Sequence, residues 1–124
     1  MGGPSAELHV YRTRSLRRSQ RWAWRIVAAN GRCVAIGGEG YTSEVEAGDR
    51  GWMLATGHYL TSAKLYVYRT RSLRRSQRWA WRIVAANGRN IAASGEGYGS
   101  KDEAGKRGSM LMNGSYALTA TLRA

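Results

Sequence analysis

The 124-residue sequence has a single cysteine, Cys33, and so can close no internal disulfide, which fits a reducing cytoplasm. No stretch approaches the ~18 continuous apolar residues of a membrane span, and no membrane partner is expected. The N-terminus lacks the apolar core of a secretory signal, and residues 1–7 are expected to be a flexible lead-in. Catalytic furniture is missing too. His9, His58 and Cys33 each occur once, against Tyr66, Ser115 and Asn90 at the matching places of the internal repeat described below. There is no metal-ligand cluster, no Ser-His-Asp spacing and no Gly-Lys-Ser/Thr phosphate loop. The sequence therefore predicts no enzyme, no cofactor and no metal. Helix-turn-helix, zinc-finger and ribonucleoprotein motifs are likewise absent.

Acids are scarce. The 20 Lys and Arg outnumber the 8 Asp and Glu, for a net charge of +12 and a pI near 10.9. Seventeen of the 20 bases are arginine, whose planar fork of donors suits phosphate better than the point charge of lysine. They are also segregated. Seven arginines and no acid lie between Arg12 and Arg32, and the pattern recurs between Arg69 and Arg89. Most acids fall in 39–49 and 96–103, so one side of the molecule should be positive.

The recurrence is a duplication. Val10–Arg32 and Val67–Arg89 are identical at every position, at an offset of 57 residues. Half of this chain is too short to bury much core alone. Residues 8–63 and 64–124 are therefore expected to form one pseudo-twofold unit, either a monomer or a weak homo-oligomer.

Each copy predicts three strands, a helix and a closing strand, making an α+β fold. The first strand is expected over 8–13, then a polar hairpin loop over 15–20. A second strand follows over 21–28, alternating Trp22, Trp24, Ile26 and Ala28 against Arg21, Ala23, Arg25 and Val27. The tryptophans on such a face are expected to be core. Asn30-Gly31 is a hairpin signal in which both residues tolerate positive φ, and the third strand is expected over 32–36. Gly37-Gly38-Glu39-Gly40-Tyr41 then breaks the strand. Ser43-Glu44-Val45-Glu46 and Ser100-Lys101-Asp102-Glu103 are capping boxes. The first helix should run over 44–56, with Gly57 as a left-handed cap and Ala47, Gly51 and Leu54 on its inner face. Closing strands are expected over 59–63 and 117–122.

The run from Trp22 through Asn30-Gly31, followed by Glu39-Gly40-Tyr41-Thr42-Ser43, resembles the YegP-like family, the DUF1508 domain. Trp79–Gly88 and Glu96–Ser100 repeat the resemblance. It implies tandem β3-α-β units sharing one antiparallel sheet, C-terminal strands exchanged between units, and both helices on one face. It implies no activity, since that family has no established function. The loop over 15–20 is longer and more basic than that pattern.

The candidate site is nucleic-acid binding: Arg12, Arg14, Arg17, Arg18, Arg21, Arg25, Tyr11 and their counterparts Arg69, Arg71, Arg74, Arg75, Arg78, Arg82 and Tyr68. Arginine clusters would neutralise phosphates of DNA or RNA with little sequence specificity. Tyr11, Tyr66 and Tyr68 should share an open sheet face with Arg21, Arg25, Arg78 and Arg82, a surface on which bases can stack. Such a protein would suit the cytoplasm of a bacterium or of a phage-infected cell. The alternative is a protein-interaction module that meets an acidic or self partner through a sheet edge or the Trp52 helix, Trp52 standing where the second copy has Ser109.

Overall fold

The computed structural model describes residues 5–59 and 61–123, with only the backbone described at 119, 120, 122 and 123. Its elements are β1 (Ser5–Arg12), β2 (Trp22–Ala28), β3 (Cys33–Gly37), α1 (Glu44–Ala55), β4 (Ala63–Arg69), β5 (Trp79–Ala85), β6 (Asn90–Ser94), α2 (Lys101–Met112) and β7 (Ala117–Arg123). One seven-stranded sheet runs in the order β4-β5-β6-β3-β2-β1-β7. The α+β class and the two-helix layer agree with expectation. Ser5, Ala6 and Glu7, expected in the lead-in, are ladder residues of β1.

Two topological expectations need correction. The sheet is mixed rather than antiparallel, because β7 pairs with β1 in parallel. The closing strand expected over 59–63 does not form. Tyr59, Thr61 and Ser62 are turn residues, position 60 lies outside the described residues, and Ala63 already opens β4. There is too little chain between α1 and β4 for another strand. The first unit therefore sends no strand across, whereas the second sends β7 to the first.

The Asn30-Gly31 turn also differs from expectation. Gly31 alone takes positive φ, +87°, and its N–H donates to Ala28 O at 2.9 Å. This is a type I turn closed by a left-handed glycine, with a register shift between Ile26 and Val27. Asn30 stays right-handed and acts through its side chain, whose Oδ1 accepts from Arg32 N at 3.0 Å.

The helices lie where their caps place them. Ser43 Oγ accepts from Glu46 N at 3.0 Å, and Ser100 Oγ accepts from Glu103 N at 3.1 Å. The Glu46 carboxylate reaches back to Thr42 Oγ1, one residue further than the box predicts. Ala47, Gly51 and Leu54 of α1 and Ala104, Gly108 and Leu111 of α2 are buried against the sheet. Beneath them Trp24 and Trp81 are fully buried with Leu8, Val10, Ile26 and Ile83. A buried tryptophan removes about 150–250 Å² from water, or roughly 4–6 kcal/mol of gross transfer free energy each. Trp22 and Trp79 are only half-buried at the rim, bridged to Tyr41 and Tyr98.

Candidate nucleic-acid interface

With both helices on one face, strand alternation sends every second side chain to the other face. Strand register there makes one transverse row. His9 pairs with Arg25, Arg25 with Ile36, Ile36 with Ala93, Ala93 with Arg82, and Arg82 with Tyr66. The pseudo-twofold passes between Ile36 and Ala93, which match each other in the repeat. Arg25 and Arg82 are three strand spacings apart, about 14 Å. The Arg25 guanidinium lies 5.5 Å from the Tyr11 ring centroid. Arg82 lies 5.7 Å from both the Tyr66 and Tyr68 rings. These cation–π contacts hold the arginines over the sheet, and among the described residues neither makes an ion pair.

The arginine-rich loops are ordered, and their order comes from short polar side chains. Thr13 Oγ1 donates to Gln20 O at 2.6 Å and accepts from Ser15 N at 3.2 Å. Ser15 Oγ accepts from Arg17 N, and the loop closes in a short 3-10 turn, Arg18–Gln20. Gln20 Oε1 accepts from Gly40 N at 2.8 Å, clamping the loop to the turn before α1. A Cβ at Gly40 would sit 2.6 Å from Gln20 O, so that approach requires glycine. Gln77 and Gly97 repeat the clamp. The result holds Arg14, Arg17 and Arg18, and likewise Arg71, Arg74 and Arg75, in water. Leu16 and Leu73 at the same tips are 96% and 95% exposed.

The two hairpins do not lie side by side. Between β2 and β5 stand β3 and β6, each neighbour antiparallel to the next, so β2 and β5 run oppositely. The arginine tips therefore occupy opposite ends of the sheet, roughly 30–40 Å apart at ~3.3 Å per strand residue.

Not every expected arginine joins this surface. Arg12 and Arg69 follow Val10 and Val67 by two residues, which turns them to the helix side at the strand ends. Arg21 and Arg78 were expected on the open face by alternation. Both instead have right-handed helical φ and ψ at the end of the 3-10 turn, which breaks the period of two, and both are half-buried. Tyr11, Arg25, Tyr68 and Arg82 are brought together as expected, with Tyr66 beside them.

The remaining arginines of the basic segments are spent internally. Arg32 Nε donates to Glu96 at 3.0 Å, and Arg89 pairs with Glu39. These crossed pairs join the two copies and push both guanidinium pKa values above their usual range through the hydrogen bond and the carboxylate charge. Glu39 and Glu96 thus answer arginines rather than each other. Five of the 8 acids (Glu44, Glu46, Asp49, Asp102 and Glu103) sit on the helices with four bases (Arg50, Lys101, Lys106 and Arg107), so the positive excess lies on strands and loops.

Groups suited to catalysis are scattered. His9 is on the open face, 3.2 Å from Glu7. His58 lies beyond α1, 2.9 Å from Thr56 Oγ1. Cys33 opens β3, where burial pushes its thiol pKa up, away from the reactive thiolate. Among the described residues no group of three or more His, Cys, Asp or Glu side chains could hold a metal ion. None of the described helices is long and apolar enough to cross a membrane.

Residues 75–106, from the second 3-10 turn into α2, match the domain of unknown function DUF1508. No curated protein matches the sequence. The solution structure of a UPF0339 protein from Shewanella oneidensis superposes with a TM-score of 0.62 at 17% identity, over 95% of this chain and 90% of that one. The solution structure of yegP, a protein of unknown function from E. coli, gives a TM-score of 0.60 at 12% identity, over 100% of this chain and 97% of that one. At these identities the two structures speak for the fold. The match over 75–106 lies within that same fold, so the chain is similar to DUF1508 in its second copy and has the fold of the YegP-like structures.

Proposed function

We propose that this protein is a non-enzymatic binding module that engages DNA or RNA through its helix-free sheet face and its two arginine hairpins, acting in the cytoplasm. The observation that carries the reading is the pair of arginine–tyrosine stacks, Arg25 with Tyr11 and Arg82 with Tyr66 and Tyr68. Each presents a cation and an aromatic face together, the combination that grips a phosphate and stacks on a neighbouring base. The exposed arginines of the hairpins supply backbone contacts at both ends of the same face, and contacts of that kind carry no sequence information.

The test is binding of fluorescent mixed-sequence single- and double-stranded DNA and RNA to the full chain, measured against salt. Arg25→Ala with Arg82→Ala should weaken single-strand binding more than duplex binding, because it removes the stacking row. Arg17, Arg18, Arg74 and Arg75 changed together to alanine should weaken every nucleic acid alike and flatten the salt slope. Affinity that survives both sets of changes overturns the assignment of this surface.

A further inference from the structure

The first strands of the two copies, β1 and β4, are near copies with different fates. β1 carries Ala6, Leu8 and Val10 toward the helices; β4 carries Ala63, Leu65 and Val67 there. On β1, where β7 covers the edge, Leu8 is 0% and Val10 1% exposed. On β4, which among the described residues pairs only with β5, the same three positions are only partly buried. The β4–β5 ladder runs unbroken from Ala63–Ala85 to Arg69–Trp79, without the bulge that interrupts β1–β7. A regular edge of this length with no neighbour among the described residues, its apolar side chains less completely buried than those of β1, is a template for another strand.

The occupied twin shows what that strand must be. β7 runs parallel to β1, with Leu118 at the level of Ala6 and packed on the core, and Ala120 at the level of Glu7. Two substitutions distinguish the inward-and-outward pattern of β4 from that of β1: Lys64 replaces Glu7, and Tyr66 replaces His9. The charge beside the incoming strand is therefore reversed. We propose that the β4 edge binds an extended segment of a partner protein, parallel to β4, with an apolar residue at the level of Ala63 and an acid at the level of Lys64. Charge complementarity selects an acidic partner over a second copy, since a second copy brings another +12 to the same edge. The edge is apart from the arginine tips, although Tyr66 and Tyr68 of the same strand belong to the stacking row, and the peptide titration reads its occupancy with no nucleic acid present.

The probe is a synthetic decapeptide with the sequence of residues 114–123, together with its Ala120→Glu form, titrated into the nitrogen-15-labelled full chain. The expected result is amide shifts confined to β4 and β5, with the Ala120→Glu peptide binding at least fivefold tighter at low salt. A nitroxide on the peptide N-terminus should broaden Ser62 and Ala63 rather than Arg69, as parallel docking requires. Lys64→Glu in the full chain restores the charge of the β1 edge. Lys64 is exposed on the open face, so the fold should survive, and the preference should invert toward the unmodified peptide. Shifts at β1 or the hairpins, or none with millimolar peptide, overturn the proposal. So does broadening of β4 that grows with protein concentration before peptide is added, which would make the occupant a second copy.

Discussion

Replacing Gly51 by alanine should destabilise the protein although alanine is the better helix former. In an exposed helix that exchange gains about 1 kcal/mol. Here the added Cβ would lie 2.6 Å from Leu8 Cδ1 and 3.1 Å from Cγ and Cδ2 of Trp24. Comfortable carbon contacts begin near ~3.5 Å, so the helix must rise or Leu8 must move by close to 1 Å. Leu8 and Trp24 are both fully buried, and β7 closes the edge through which Leu8 would escape. Overpacking of this kind costs about 1–3 kcal/mol, leaving a net loss of roughly 0–2 kcal/mol. Gly105, one turn into α2, supplies the contrast: its Cβ would meet only Val67 Cγ2, at 3.6 Å. Gly105→Ala should therefore stabilise by about 0.5–1 kcal/mol. Urea unfolding reads both. With m near ~1–3 kcal/mol/M the two midpoints should separate by roughly 0.5–1 M in opposite directions from the parent. If Gly51→Ala stabilises as much as Gly105→Ala, the helix does not ride as close to the sheet as described.

Other consequences follow from burial. Burial is the main force pushing the phenols of Tyr41 and Tyr98 up, with the neighbouring Trp24 and Trp81 indoles pulling partly back. Their folded-state pKa values exceed the unfolded value near ~10, so their contribution is intact below pH ~10 and is lost as pH rises through the folded values. Stability should therefore fall only above pH ~10, and absorbance near 295 nm should show late-titrating tyrosines that titrate normally in urea. Cys33 should react slowly with a thiol reagent at pH 7 and at the rate of a free thiol in denaturant, because burial is the main cause of its raised pKa. Gln20→Ala removes the acceptor of Gly40 N. It should cost about 0.5–1.5 kcal/mol and raise hydrogen exchange of Gly40 without disturbing Gly97.

Elements with a strong local signal were legible from sequence. The period-two run through Trp22, Trp24 and Ile26, the serine caps and the Ala47-Gly51-Leu54 stripe each state their own geometry. The pairing of Arg25 with Tyr11 was legible for the same reason, since alternation alone puts both on one face. What failed depends on distant chain or on a local break in period. Arg21 looks like the first residue of an alternating strand, yet the 3-10 turn before it takes it out of register. Nothing near residues 59–63 says that no room is left for a closing strand there; that follows from where β4 begins. The exposed Leu16 and Leu73 and the Gln20 clamp lie in a segment that is unpatterned and polar as sequence. The clamp is defined by a partner twenty residues away. Leu65 reads like Leu8, and only the neighbour strand β7 distinguishes them; the change from Glu7 to Lys64 is plain in the sequence, but its place at a sheet edge is not.

The measurement that bears most directly on the central claim is the salt dependence of nucleic-acid binding by the intact chain. The account predicts a submicromolar Kd for single strands near 150 mM salt and a log–log slope equivalent to about six or more phosphate contacts. Arg25→Ala with Arg82→Ala should weaken that binding while the fold survives, with stability lowered only by the lost cation–π contacts, about 0.5–1 kcal/mol each. Binding that vanishes by that salt, or that is indifferent to those two arginines, would contradict the account and leave the +12 charge as a non-specific field.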